Sequence, residues 1–255
     1  MSGTVQRNYG WRNSNPDHRD KVFAAPCVTL KDIDMRPRMA PVFDQGHTES
    51  CTGNASGAAF EYILQKDHLE IFRPSRLFIY YNGRLAGNTV DSPDAGATIR
   101  DVVASLVKYG APSEADWPFD PNIVTQRPTD AVYSEAKNHV VKLYASVEQT
   151  LESIVAALDS DHPVVFGATL YDSFEGEDTA QTGIVTMPEP SENAVGGHAL
   201  LIVGVNVAEQ QFIVRNSWGA EWGDKGYCYF PFDYILNPNL ADDFWVMTSI
   251  SDYVK

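Results

Sequence analysis

The chain has 255 residues, 44% hydrophobic and 21% charged, which fits one large domain or two smaller ones sharing a cleft and excludes wholesale disorder. Acidic groups outnumber basic ones 34 to 19, a formal charge of −15. That argues against a nucleic-acid partner or an anionic membrane surface, because both are polyanions. Three cysteines, Cys27, Cys51 and Cys228, are too few for a disulfide framework, and the odd count leaves at least one thiol unpaired. A reducing compartment is the simpler reading. No apolar run reaches the ~18 residues of a membrane span. The polar start of the chain lacks the apolar core of a secretory signal. The expectation is a cytoplasmic protein, with export left open.

Residues 1–31 read as an extended polar arm carrying Pro16 and, unusually for such a segment, the aromatic pair Tyr9 and Trp11. The first helix is predicted from about Cys51, with Ala55, Ala58, Ala59, Tyr62 and Ile63 at three- and four-residue spacing. Residues 85–97, rich in Gly, Asp, Ser and Pro, read as loop. A second helix is predicted over 97–108, with the stripe Ile99, Val102, Val103, Leu106 and Val107 and a stop at Gly110. A third is predicted over 147–159, with Ser146 and Gln149 at capping-box spacing. After about Pro128 strand-like runs dominate: 140–144, 164–170, 199–205, 212–215 and 227–230. Helices first and strands later predict a segregated α+β protein. Its parts are the arm 1–31, a mainly helical domain 32–128 and a sheet-rich domain 129–255, with termini free to cross between them.

A thiol at a helix start faces unpaired N–H groups and the positive end of the macrodipole, which lowers its pKa. Cys51 is therefore a candidate nucleophile, although on position alone a small buried hydrophobe, which most free cysteines are, is the stronger reading. Cys27 and Cys228 lack that context and read as structural. His198 follows Gly196-Gly197 and opens an apolar strand, a place where an imidazole reaches a cleft, although by itself such a histidine is more often structural. Asn216 ends the next strand and is able to orient that ring, with Trp218 excluding water from the bond. Gln45, six residues before Cys51, reads by itself as an exposed loop glutamine, but it is able to donate to an oxyanion together with the Cys51 N–H. Asn54-Ala55-Ser56 fits a glycosylation sequon, but inside a helix no glycan is expected.

Taken together these blocks resemble the papain-like cysteine peptidases of the cathepsin family, in their microbial form. The resemblance runs from Ile33-Asp34-Met35-Arg36 to about Phe230. It rests on Pro41-Val42-Phe43-Asp44-Gln45-Gly46 with Ser50-Cys51, on Gly197-His198-Ala199, and on Asn216-Ser217-Trp218-Gly219 followed by Trp222-Gly223 and Gly226-Tyr227. His198 lies 147 residues after Cys51, and Asn216 lies 18 beyond that. Thr52 stands where the family usually has tryptophan, and Thr48 where it has a disulfide cysteine. Ala95-Gly96 stands where it has paired glycines. The resemblance implies a helical left domain and a β-barrel-like right domain with the cleft between them. It implies a Cys51–His198 thiolate–imidazolium pair oriented by Asn216, Gln45 in the oxyanion hole, and peptide or protein substrates, with no metal and no cofactor.

Gly96, Gly167, Gly196, Gly197 and Trp218 are the candidate substrate-binding residues. Small residues around the side-chain pocket, with no pocket carboxylate evident, suggest a bulky apolar or aromatic substrate side chain. Residues 1–31 are expected either to hinder the cleft or to strap the back of a domain. The main reading is a monomeric endopeptidase. The alternatives are a catalytically silent homologue that binds peptides or proteins, and an exopeptidase or acyl-transfer variant with 172–193 as the blocking loop.

Overall fold

The structure is a computed structural model, and it describes residues 7–15 and 17–252. Pro16 and the other arm residues 1–6 lie outside the described residues, as do 253–255. In chain order the elements are β1 (Trp11–Arg12), β2 (Ile33–Asp34), α1 (Cys51–Lys66), α2 (Arg76–Ala86), β3 (Ala97–Thr98), α3 (Ile99–Tyr109) and α4 (Asp130–Ala136). There follow β4 (His139–Ser146), α5 (Leu151–Asp159), β5 (Val164–Tyr171), α6 (Glu177–Thr182), β6 (Ala194–Asn206), β7 (Gln211–Arg215), β8 (Tyr227–Pro231), α7 (Phe232–Ile235) and β9 (Ala241–Asp252). None of the described helices is long and apolar enough to cross a membrane.

Helices and a largely antiparallel sheet form the α+β arrangement that the sequence predicts. The sheet runs in the order β4-β9-β5-β6-β7-β8, with β2 beside β6. It is open, because β4 and β8 stand at opposite edges of that order. The barrel-like right half is therefore corrected to an open sheet among the described residues. The strand positions agree with the apolar runs, but β9, the central partner of both β4 and β5, was not foreseen. Its carboxylates Asp242-Asp243 interrupt the apolar pattern.

The helix α1 starts at Cys51 as expected, but it is not amphipathic: every residue from Cys51 to Leu64 is buried. Its small residues make that possible. A Cβ on Gly53 would lie 2.7 Å from the Arg76 carbonyl oxygen, so α2 crosses α1 at backbone contact. The sequence carries no helical period over α2 because Leu77, Phe78, Ile79, Tyr80 and Tyr81 are consecutive and buried, and a helix wrapped on all sides has no 3.6-residue stripe. Ser75 caps it, its Oγ accepting the Phe78 N–H at 3.2 Å. Thr98 caps α3 in the same way. The predicted 147–159 helix starts later, at Leu151, with Thr150 rather than Ser146 as its cap. Ser146 instead ends β4. The helix α4 packs its Val132 and Ala136 with Leu77 and Phe78 of α2.

Two buried arginines tie these layers together. Arg76 on α2 donates to the Asp44 carbonyl at 2.9 Å and to Asn54 Oδ1 on α1 at 2.8 Å. Its other nitrogens form a bidentate pair with Glu114, at 2.8 and 3.0 Å. Arg215 at the end of β7 donates to the carbonyls of Ala40 and Pro41. Segment 40–45 is thereby held from both sides. Removing one partner of a buried pair strands the other charge. Arg76→Ala is expected to lower the free energy of unfolding by about 3–5 kcal/mol, read from urea melts. A loss well under 1 kcal/mol would show that Glu114 is hydrated instead.

Candidate active site

Cys51 is the first residue of α1 and is fully buried. The backbone N–H groups of Ala199, Gly10 and Thr52 face its sulfur. Ala199 comes from β6 and directly follows His198. The His198 ring is also fully buried, and its Nε2 lies 2.8 Å from Asn216 Oδ1. That same oxygen accepts the Ser217 N–H at 2.8 Å. An amide oxygen only accepts, so His198 Nε2 carries the proton and Nδ1 is left as a lone pair. Among the described residues Nδ1 has no hydrogen-bond partner. Trp218 covers the ring at a centroid distance of 5.2 Å and is itself backed by Phe174 and Trp222. Sequence reasoning anticipated this convergence of Cys51, His198, Asn216 and Trp218.

Gln45 is completely buried on the turn before α1. Its Oε1 accepts from Ser217 Oγ at 2.6 Å, and its Nε2 donates one hydrogen to the Thr48 carbonyl at 2.9 Å. The second Nε2 hydrogen is left for another acceptor. Thr48, where the family has a cysteine, bonds the Gln45 carbonyl and lies 2.6 Å from Ser50 Oγ. A hydroxyl chain thus replaces a disulfide beside the turn. Asn54 of the sequon is buried and bonded to Ser50 and Arg76, so no glycan fits there. Cys228 is buried, in keeping with a structural role, but Cys27 is exposed on the arm and has no such role.

The predicted substrate-binding residues do converge, and the arm lies on all of them. Gly10 is the point of closest approach. A Cβ there would fall 1.8 Å from the Glu49 carbonyl oxygen, and a Cβ on Gly96 would fall 2.1 Å from the Gly10 oxygen. The Ala97 N–H donates to that oxygen at 2.8 Å, and β1 pairs with β3 in parallel. Tyr9 stands on Gly196 and meets the His198 ring edge-on at 6.0 Å. The Tyr9 hydroxyl bonds Glu175, in the segment 172–193. Arg7 stacks over Trp218 at 4.8 Å. Trp11 lies flat on Gly167 and Gly197, where any Cβ would strike its ring. Of the two placements expected for Tyr9 and Trp11, the structure has the cleft, not the back of a domain. The pocket also differs from expectation, because a carboxylate, Asp243, borders it and accepts from Trp11 Nε1 at 3.1 Å. Its one sequence signal was the acidic pair inside an apolar strand.

Residues 31–234 match the model of the papain family of cysteine proteases. The chain belongs to that family. It is a cysteine peptidase, a thiol-dependent hydrolase. It is 37% identical over 280 aligned residues to an uncharacterized peptidase C1-like protein, L477, of Acanthamoeba polyphaga mimivirus, spanning 98% of this chain and 90% of that one. Among solved structures it is similar to xylellain, a cysteine protease from Xylella fastidiosa. There the TM-score is 0.88 at 35% identity, over 94% of this chain and 96% of that one. The digestive procathepsin L 3 of Tenebrio molitor shares the fold, with a TM-score of 0.67 at 19% identity, over 91% and 76% of the two chains.

In this peptidase, burial works against charge at both Cys51 and His198. Desolvation pushes the Cys51 thiol up to about 11, although three N–H groups oppose the shift. Desolvation pushes the His198 imidazole down to about 4, against the pull of Asn216. Burial beneath the arm thus works against the expected thiolate–imidazolium pair, raising the thiol and lowering the imidazole. Folding lowers the pKa of a base here, so the unfolded chain takes the proton first. The stability linked to His198 is fully present above its ordinary value of 6.5 and is lost as pH falls toward 4. Its ceiling is about 3 kcal/mol. A two-dimensional NMR titration of the intact chain is expected to show His198 neutral at pH 7 with a midpoint near 4. A ring already charged at pH 7 would mean that the ion pair persists beneath the arm.

Proposed function

We propose that the chain is an endopeptidase that cleaves internal bonds of peptide or protein substrates through Cys51, and that arm residues 7–14 hold it latent. The observation that carries this reading is the His198 ring, fixed on Asn216 with its Nδ1 lone pair unclaimed, beside a cysteine at a helix N-terminus. His198 Nδ1 takes the thiol proton, and the Cys51 sulfur attacks the substrate carbonyl. The oxyanion is held by the Cys51 N–H and the second Nε2 hydrogen of Gln45. His198 then gives the proton to the leaving amine, and water releases the thioester. Asn216 and Trp218 keep the ring aligned through both steps. With the arm gone, water returns to the cleft, and the helix N-terminus then favours the thiolate.

The path of the arm supports internal cleavage. Arg7 to Tyr9 lie on one side of Cys51 and Trp11 to Ser14 on the other, with Gly10 at the sulfur. A groove that admits a continuous chain on both sides of the nucleophile suits a mid-chain substrate.

Gly10 supplies the test. Gly10→Ala puts a methyl group onto the Glu49 carbonyl and is expected to expel the arm while leaving the rest of the molecule unchanged. An epoxysuccinyl thiol reagent is expected to label the Gly10→Ala chain at least tenfold faster than the native chain, as one adduct absent from Cys51→Ala, read by intact mass. In the Gly10→Ala background, Gln45→Ala is expected to cost ~10²–10³ in kcat/KM on an internally quenched peptide. Labelling of neither form would favour the silent peptide-binding homologue, and equal rates would sink the latency.

A further inference from the structure

Asp243 owes its position to a defect in the sheet. Between β5 and β9 the pairing passes from Val165 with Trp245 to Gly167 with Asp242, so β9 carries one extra residue. Bulges of this kind re-aim a side chain. Asp243 also has φ +65°, a left-handed conformation that aspartate tolerates better than most residues. The result is a carboxylate only 7% exposed, turned toward the Trp11 pocket.

Its two oxygens differ in what holds them. Oδ1 accepts from Trp245 Nε1 at 2.6 Å, within the body of the protein. Oδ2 accepts from Trp11 Nε1 at 3.1 Å and from Ser14 Oγ at 2.9 Å, and both donors belong to the arm. The neighbouring Asp242 is likewise met by the arm, through Asn13 Nδ2 at 2.8 Å. Every arm donor is neutral, and among the described residues Asp243 has no ion pair. Burial pushes its carboxyl up from the ordinary value, and the adjacent Asp242 adds to the shift. When the arm leaves, Oδ2 loses both donors and faces the space vacated by the indole, between Gly167 and Gly197. Water takes the place of those donors when the arm leaves, and a cationic donor that displaces the water binds a carboxylate oxygen more strongly than any neutral one.

Given the peptidase site proposed here, we infer that Asp243 is a specificity-determining residue that binds the guanidinium or ammonium group of a substrate arginine or lysine seated between Gly167 and Gly197. Trp11 is then a neutral occupant of a pocket built for a cation. It fills the space and satisfies Oδ2 without the charge pair that a substrate brings. This replaces the bulky apolar preference suggested by the small residues alone.

The test uses the full chain carrying Gly10→Ala and dipeptidyl acyloxymethyl ketones with Arg or Leu at each of the two positions before the reactive carbon. The rate of Cys51 labelling is followed by intact mass. At one of the two positions the Arg probe is expected to react at least tenfold faster than its Leu counterpart. Asp243→Asn, which keeps shape and tolerance of positive φ, is expected to remove at least tenfold of that preference. Preference for Leu at both positions overturns the inference, and this outcome needs no second variant to fold. An Arg preference that survives in an Asp243→Asn chain of unchanged thermal midpoint also overturns it. If the epoxysuccinyl reagent labels Cys51 but neither position favours Arg, the inference falls while the peptidase reading stands. If no reagent labels any form, both fall.

Discussion

The structure depends on burying one helix completely. From Cys51 to Leu64, α1 has no solvent face, so its first turn must meet protein groups wherever it emerges. It emerges against β6, and this brings Cys51 to the backbone of Ala199 and hence beside His198. Small residues along α1 admit α2 at backbone distance, and Arg76 then locks α2, α1 and the Gln45 segment into one unit. Cys51 and His198 are positioned by core packing, not by a flexible loop, which suits the fixed geometry that the proposed site needs.

The same burial creates a conflict with chemistry. A nucleophilic thiol and its base work best where charge is tolerated, yet in this state both are desolvated, and the arm contributes to that. The conflict resolves if the arm is a removable part of the core. Its backbone joins β3, its Trp11 and Tyr9 pack onto glycines, and its Gly10 N–H faces the Cys51 sulfur. On the far side Arg100 of α3 holds Asp17 and Asp20 at 2.9 and 2.8 Å. These contacts mix aromatic packing, backbone pairing and part-buried charge pairs, and none of them is covalent. The glycines beneath the arm leave room for any extended chain, so the surface that accepts the arm is also shaped for a substrate.

Much of the site was legible in the residues. Cys51, His198 and Asn216 occur in an order and spacing whose blocks reinforce one another, and the β-branched runs of β5, β6 and β7 marked the strands between them. Other features were hidden for definite reasons. The run Leu77 to Tyr81 shows no helical period because α2 is buried all round. Ser146 had capping-box spacing, but the strand pairing of β4 with β9 claimed it first, and Thr150 took the cap. The lowered thiol pKa expected of a helix N-terminus was outweighed by desolvation, whose size depends on what covers the site.

By itself the sequence determined the α+β class and the family, and it singled out Cys51, His198, Asn216 and the glycines around them, because each is written in local residue type and period. The tertiary structure alone decided the open sheet, the path of the arm through the cleft, the burial of Cys51 and His198 and the presence of Asp243 in the pocket. These depend on a bulge, on burial and on contacts between residues up to 232 positions apart, as between Trp11 and Asp243. No local pattern encodes such contacts, because the free energy that fixes them arises only when the separate segments meet.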